Sequence, residues 1–255
     1  MPILKPLLRA TTVIAFLITG AGAFAQSSND AAGLTEDQIR TIVRDYLLEN
    51  PEVVIDAIKT YQAQQKLAEE AQTAQALAAK RDQIFEDPMA PTNGVTDADV
   101  TLVEFFDYQC GYCKKVFPDI MAVMEDDKKL RVVFKELPIL GPESVIAARG
   151  AMAAQKQGKY MAYHQAVMDL RGKLSEQRIL QAAAEAGLDV DLLVKDMESP
   201  EIDDYLRSNL QLAQEIGVTG TPAMFIGEQF IPGAIDRQTL IHLIAEERKA
   251  AGKAG

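Results

Sequence analysis

The spacing of apolar residues changes character along the chain, and each change predicts a different element. From Leu34 onward, Ile39, Ile42, Val43, Tyr46 and Leu47 recur every three or four residues, which predicts a helix with one apolar face. Thr35 and Gln38 have the spacing of a capping box at its start, with Leu34 and Ile39 in staple positions. Asn50-Pro51 stops this helix and opens another, Asn50 as cap and Pro51 in the first turn. The second helix is expected to run from Glu52 to about Phe85. It is apolar early, at Val53, Val54, Ile55 and Ile58, then rich in Ala, Gln, Glu and Lys with a thin seam at Leu67, Ala71, Ala74 and Ala78. At ~1.5 Å per residue it would be roughly 50 Å long, more than one small domain can cover. Its apolar start is therefore expected to meet copies of itself rather than the rest of the chain.

Asp87 to Asp99, with Pro88, Pro91 and Asn93-Gly94, predicts a bounding loop. Val100 to Phe106 is apolar and aromatic enough for a buried strand. A short turn leads to Cys110-Gly111-Tyr112-Cys113, and Lys114 to Lys129 has helical spacing at Val116, Phe117, Ile120, Val123 and Met124. Pro118 lies inside that helix and is expected to kink it. Leu130 to Leu137 is a second apolar run, so strand, helix and strand predict a parallel βαβ unit. Glu143 to Gly217 reads as helical throughout, broken at Gly158, Gly172-Lys173, Gly187 and Ser199-Pro200, with Ser175 and Asp189 as N-caps. Ala223–Ile226 and Gln229–Ile231 then predict a hairpin. A last amphipathic helix starts at Asp236 and carries Leu240, Ile241, Leu243 and Ile244.

The start of the chain changes the picture. Lys5 and Arg9, an apolar run from Ala10 through Ala23, and Ala23-Phe24-Ala25 predict a secretory signal peptide at 1–25, cut after Ala25. The expected order is then a linker at 26–33, an N-terminal helical oligomerisation or stalk region at 34–86, and a catalytic domain at 87–255 with a helical insertion at about 143–217. The mature chain is expected to be exported to the periplasm, where disulfides form and persist. With 26 Lys and Arg against 37 Asp and Glu, the net charge of −11 argues against nucleic acid or an anionic membrane as partner.

The chain has 2 Cys, both in the one CxxC. A helix N-terminus presents free N–H groups and partial positive charge, which favour a thiolate. Cys110 is expected to be the exposed, attacking sulfur and Cys113, one turn deeper, the resolving one. A CxxC ring is too small to constrain much chain entropy as a structural disulfide. A zinc site needs four ligands, and neither His164 nor His242 stands at ligand spacing. Both histidines are read as structural. Redox exchange without cofactor or metal is the expected chemistry, with soft-metal binding such as Cu(I) the reading from another class.

These motifs together resemble the thioredoxin fold, and more closely the DsbA-like family of exported thiol–disulfide oxidoreductases. The resemblance covers most of residues 100–250. It is carried by Phe105-Phe106-Asp107-Tyr108-Gln109-Cys110-Gly111-Tyr112-Cys113, Val133-Phe134-Lys135-Glu136-Leu137-Pro138-Ile139 and Gly217-Val218-Thr219-Gly220-Thr221-Pro222-Ala223. Leu34–Ile58 is similar to the oligomerising segment of the ScsC-like branch, whose members include trimeric disulfide isomerases. The implied fold class is α/β, a thioredoxin fold with helical insertion preceded by an N-terminal helical oligomerisation segment. The resemblance implies that Pro222 is a cis-proline with Thr221 before it, facing the CxxC, and that substrate meets Gly111, Tyr112, Thr221 and Pro222. It also implies that Glu104 is a buried acid behind the disulfide. Lys135, on the neighbouring strand, is expected to be its partner, the pair moving the proton of Cys113. Gly111-Tyr112 supplies no imidazole, so the disulfide is expected to be less oxidising than in strongly oxidising members, favouring isomerase or reductase over oxidase. Implied partners are cysteine-containing exported clients, a membrane thiol reductant or oxidant, and further copies of the chain, as dimer or trimer, through residues 34–60.

Overall fold

A computed structural model describes residues 33–252, residue 228 excepted. The predicted signal peptide and all but the last residue of the linker lie outside the described residues. The chain divides into two units, up to Thr60 and from Tyr61.

In the first unit, α1 (Glu36–Glu49) begins as expected: Thr35 accepts from the Gln38 N–H while Gln38 returns a bond to the Thr35 N–H, a complete capping box. Asn50 ends it, donating its N–H to the Tyr46 carbonyl, and α2 (Pro51–Phe85) starts at the proline. α1 buries none of its residues, and Ile39, Ile42, Val43 and Tyr46 all stand exposed.

The second unit is built on a four-stranded sheet. Its parts in chain order are β1 (Val100–Phe106), α3 (Gly111–Asp126), β2 (Leu130–Glu136), five insertion helices, the hairpin β3 (Ala223–Ile226) and β4 (Gln229–Pro232), and α9 (Arg237–Ala250). The spatial order is β2-β1-β3-β4, with β1 parallel to β2 and antiparallel to β3. Side chains alternate cleanly between faces. Leu102, Phe106, Val132, Phe134, Met224 and Ile226 join the core that holds α3, the insertion and α9. Val103, Phe105, Val133, Ala223 and Phe225 face the other way, onto Ile84 and Phe85 of α2 and Leu212, Ala213 and Ile216. Burial on both faces is why β1 and β2 read as mainly apolar runs rather than as a polar–apolar alternation.

The insertion comprises α4 (Pro142–Lys156), α5 (Tyr160–Asp169), α6 (Glu176–Glu185), α7 (Val190–Met197) and α8 (Pro200–Glu215). Gly158 and Gly187 follow α4 and α6 with φ of 68° and 80°, which a β-carbon disfavours, and the side chains of Ser175 and Asp189 cap α6 and α7. α3 runs through Pro118 as one helix. Lys114 fastens it to the insertion, its ammonium donating to the carbonyls of Val167, Met168 and Leu170 at the end of α5.

Candidate active site: a dithiol at the head of α3

β1 delivers the chain to a tight turn in which the Cys110 N–H donates to the Asp107 carbonyl at 3.0 Å. Cys110 is the N-cap of α3. Its Sγ accepts the Cys113 N–H at 3.3 Å and lies 3.2 Å from the Thr221 carbonyl oxygen. The Thr221–Pro222 peptide is cis, and the loop before β3 faces the sulfur. Both thiols are free. The Cys113 side chain, outweighing the opposing effect of burial, together with the Thr221 side chain and the backbone N–H groups of Cys113 and Tyr112, lowers the Cys110 pKa to about 6. Burial chiefly pushes Cys113 the other way, well above the ordinary thiol value, reinforced by Cys110 and Glu104. The pair is thus split into a thiolate and a thiol, as attack and resolution require.

One expectation needs correction. Cys110 is only 5% exposed, not an open sulfur. The Cys113 N–H and the Thr221 carbonyl both approach it, and those contacts cover it. Its surroundings remain open, since Gly111, Tyr112 and Gly220 are exposed.

A second correction concerns Lys135. The register pairs Glu104 with Phe134 and Phe105 with Lys135, so in a parallel pair Glu104 and Lys135 point to opposite faces. Glu104 lies on the cysteine side. Lys135 enters the other core, where its ammonium meets Asp87 at 2.5 Å and lies 5.9 Å from the Tyr205 ring centroid. Adjacent strands do not make adjacent side chains. Asp87→Ala would leave a fully buried ammonium without its carboxylate and is expected to cost about 3–5 kcal/mol in urea unfolding.

Glu104 is left with neither oxygen hydrogen-bonded. Burial, helped by the negative Cys110, raises its pKa to about 8. The structure therefore brings together Cys110, Gly111, Tyr112, Cys113, Thr221, Pro222 and Glu104, and leaves Lys135 elsewhere. It also reveals polar groups that local pattern did not. Asp107, fully buried, accepts four hydrogen bonds. Glu136 accepts from Tyr160 at 2.9 Å and Tyr108 at 3.3 Å, and the Tyr108 hydroxyl lies 2.8 Å from His164 Nδ1. The one available signal was an acid closing each of two apolar runs, Asp107 after Phe106 and Glu136 after Lys135. Among the described residues, no group of three or more His, Cys, Asp and Glu side chains is gathered to hold a metal.

A four-stranded sheet with a dithiol at a helix head and a cis-proline loop against it is the arrangement of the thioredoxin fold class. Comparison with known proteins narrows this. A family model described as DSBA-like thioredoxin domain matches residues 101–245, and one described as Copper resistance protein ScsC N-terminal domain matches residues 36–68. The chain belongs to the DSBA-like thioredoxin domain family, and its fold is a DsbA-like thioredoxin fold preceded by an ScsC-type helical segment. It is 41% identical to a thioredoxin-like oxidoreductase from Silicibacter pomeroyi, with a TM-score of 0.64 over 66% of this chain and 98% of that one. A linker-deletion mutant of Proteus mirabilis ScsC is 29% identical, with a TM-score of 0.68 over 86% and 99% of the two chains. The thiol-disulfide exchange protein alpha-DsbA2 of Wolbachia pipientis is 30% identical, with a TM-score of 0.65 over 71% and 97%. A curated relative, a Na(+)/H(+) antiporter NhaA of Herminiimonas arsenicoxydans, is 31% identical over 173 residues, 65% of this chain and 27% of that protein. The chain spans about a quarter of the length of the antiporters it matches. No helix among the described residues is long and apolar enough to cross a membrane.

Proposed function

We propose that the protein exchanges disulfides with cysteine-containing exported clients in the periplasm, as a disulfide isomerase or reductase working through its CGYC site. The observation that carries this is Cys110 Sγ, capped by the Cys113 N–H, beside the Thr221 carbonyl, with a pKa of about 6. That value lies nearer the ~7 of thioredoxin than the ~3.5 of a strong oxidant, so the thiolate is populated at neutral pH yet remains a good nucleophile.

In the first step the Cys110 thiolate attacks one sulfur of a client disulfide. The Cys110–client bond forms as the client S–S bond breaks, and the second client sulfur leaves as thiolate. A different client thiolate can then attack the mixed disulfide, returning Cys110 as thiolate with the client's pairing rearranged. Alternatively Cys113 attacks Cys110 Sγ, which forms the Cys110–Cys113 disulfide and releases the client reduced. No cofactor beyond the two sulfurs takes part, and isomerisation needs an external thiol reductant, such as a membrane partner, to keep Cys110 reduced. Refolding of scrambled ribonuclease by the reduced protein tests the reading. Oxidation of a reduced client without any rearrangement would make the protein an oxidase instead.

Glu104 is the proton acceptor for Cys113 in this scheme. Burial and the Cys110 charge both keep it protonated in the resting dithiol. Once Cys110 is bonded to the client that charge is gone; Glu104 then releases its own proton to solvent more readily, and as a carboxylate it takes the proton of Cys113 while Cys113 attacks. Glu104→Gln is expected to slow resolution of the mixed disulfide about a hundredfold and to remove the rise in its rate towards pH 8. An unchanged pH–rate profile removes Glu104 from the proton path. The stability sign is independent of kinetics. An acid whose folded pKa is raised supports stability that is present below its ordinary 4.5 and lost as pH rises through about 8, so the Gln variant becomes the more stable protein at alkaline pH.

The first unit is proposed to assemble with its own copies, as dimer or trimer, through residues 34–60. The support is the exposed apolar face of α1 together with the ScsC N-terminal match. Such an assembly gathers several Cys110 thiolates for one client and hinders an enzyme that would reoxidise them.

A further inference from the structure

The chain carries a net charge of −11, yet two of its pieces next to the dithiol run the other way. Residues 110–117 hold Lys114 and Lys115 and no acid, and residues 167–178 hold Arg171, Lys173 and Arg178 against Asp169 and Glu176. Lys114 joins the two pieces. It follows Cys113 in the first turn of α3, and its ammonium donates to the carbonyls of Val167 at 2.9 Å, Met168 at 3.1 Å and Leu170 at 2.9 Å. Three donors meet three acceptors at the negative end of α5, so this charge is fixed in place. Arg178, in the first turn of α6, reaches back and donates to the carbonyls of Arg171 and Lys173. The loop between α5 and α6 is thereby held through its main chain. The side chains of Arg171 and Lys173 stand exposed and make no hydrogen bond or ion pair among the described residues.

Elsewhere the second unit provides for its guanidinium groups. Arg131, Arg149, Arg207, Arg237 and Arg248 each meet a carboxylate, and Arg81 lies over the Phe85 ring. Lys114, Lys115, Arg171, Lys173 and Arg178 form no ion pair with a carboxylate among the described residues. They are also within reach of the dithiol. Burial chiefly lowers the Lys114 pKa, to about 8; Arg171 and Arg178 add to that, while Asp169 and Cys113 oppose it. Like charges gathered without counter-ions repel one another, and an anion brought among them relieves that repulsion. We propose that this basic patch is a specificity determinant of the exchange reaction, favouring disulfides flanked by carboxylates, such as an acidic stretch of a partner chain supplies. This rests on the thiol-exchange reading above and names its substrate class. Charge complementarity selects the occupant. At ~0.1 M salt the Debye length is about 10 Å, so the near cations outweigh the acidic remainder of the chain. The reaction is unchanged: Cys110 attacks, one half of the disulfide leaves as thiolate, and Cys113 displaces the other, the protein giving up both electrons and ending as the Cys110–Cys113 disulfide.

The test follows single-turnover oxidation of the reduced full chain by two small disulfides of similar size, the dianion dithiodipropionate and the dication cystamine. Comparing the ratio of their rates between two proteins cancels the intrinsic reactivity of each disulfide. Arg171→Gln with Lys173→Gln removes two exposed charges and no hydrogen bond. At low salt the dianion-to-dication ratio is expected to fall about tenfold in this variant. In about 0.5 M salt, where charges only a few Å apart still interact, the variant and the unaltered protein are expected to converge. Arg171→Glu with Lys173→Glu is expected to lower the low-salt ratio further. A ratio that neither pair of substitutions changes overturns the proposal. So does a difference that persists undiminished in high salt, since that would be a loss of fit rather than of charge. If the unaltered protein reacts with neither disulfide, the thiol-exchange reading itself is what fails.

Discussion

Cys110→Ser is expected to abolish disulfide exchange, lowering the rate of attack on a client disulfide at least about a thousandfold, because a neutral hydroxyl replaces a thiolate already formed at neutral pH. Cys113→Ser is expected instead to attack and then stall, accumulating a mixed disulfide visible as added mass. Rates that survive in Cys110→Ser would move the nucleophile elsewhere. Alkylation of the reduced protein by iodoacetamide carries the same claim into pH. The Cys110 rate is expected to rise with a midpoint near pH 6, while Cys113 stays unreacted across neutral pH. A midpoint near the ordinary thiol value of 9.0 would mean that the helix head and its bonds do not hold the charge. The linkage has a definite sign. A thiol whose folded pKa is lowered contributes stability that is fully present above its ordinary 9.0 and lost as pH falls through about 6. The dithiol protein is therefore expected to gain stability relative to its disulfide form between those pH values. Glu104 is present in both forms, and Cys113, held protonated, opposes the gain only from its ordinary 9.0 upward, so below that pH the comparison isolates Cys110 except for the repulsion between Cys110 and Glu104.

The second large effect concerns the first unit. Replacing Ile42 and Tyr46 together by glutamate puts two charges per chain onto the exposed apolar face of α1. Light scattering is expected to change from a dimer or trimer of the unaltered chain to a monomer, because an interface closing over unpaired carboxylates loses more than its apolar burial supplies. Rearrangement of scrambled ribonuclease is expected to fall with it, while single-turnover attack on a small disulfide persists. A monomeric mass for the unaltered chain would sink the proposed assembly. A truncation test should begin at Tyr61 rather than near Asp87. The later start would remove Ile84 and Phe85 from the core against the sheet, and Glu86 from its bond to Arg131.

Much of the fold was legible because its signals are local. The capping box of Thr35 and Gln38, the break at Asn50-Pro51, the caps at Ser175 and Asp189 and the glycine stops of the insertion each depend on a few neighbouring residues. The CxxC spacing and the strand before it fix Cys110 at a helix head in the same way. Glu104 was legible as a buried acid, since a carboxylate inside an apolar run has nowhere else to go. Its partner was not. Pairing Glu104 with Lys135 assumed that residues on adjacent strands meet, and a register offset of one residue puts them on opposite faces.

From the sequence alone follow a helix-capped dithiol, a parallel strand–helix–strand unit around it, a helical insertion, and an apolar helix face at the start of the first unit. Each is written in periodicity or in a motif shorter than one turn or strand. Tertiary structure alone decided that the Thr221 carbonyl, 111 residues from Cys110, covers its sulfur. It also decided that Asp107 draws in a loop more than thirty residues away, and that Lys135 answers to Asp87. The physical reason is the same in each case. A buried polar atom must find a partner, but which one it finds depends on what the folded chain brings within about 3 Å, and no local pattern encodes that.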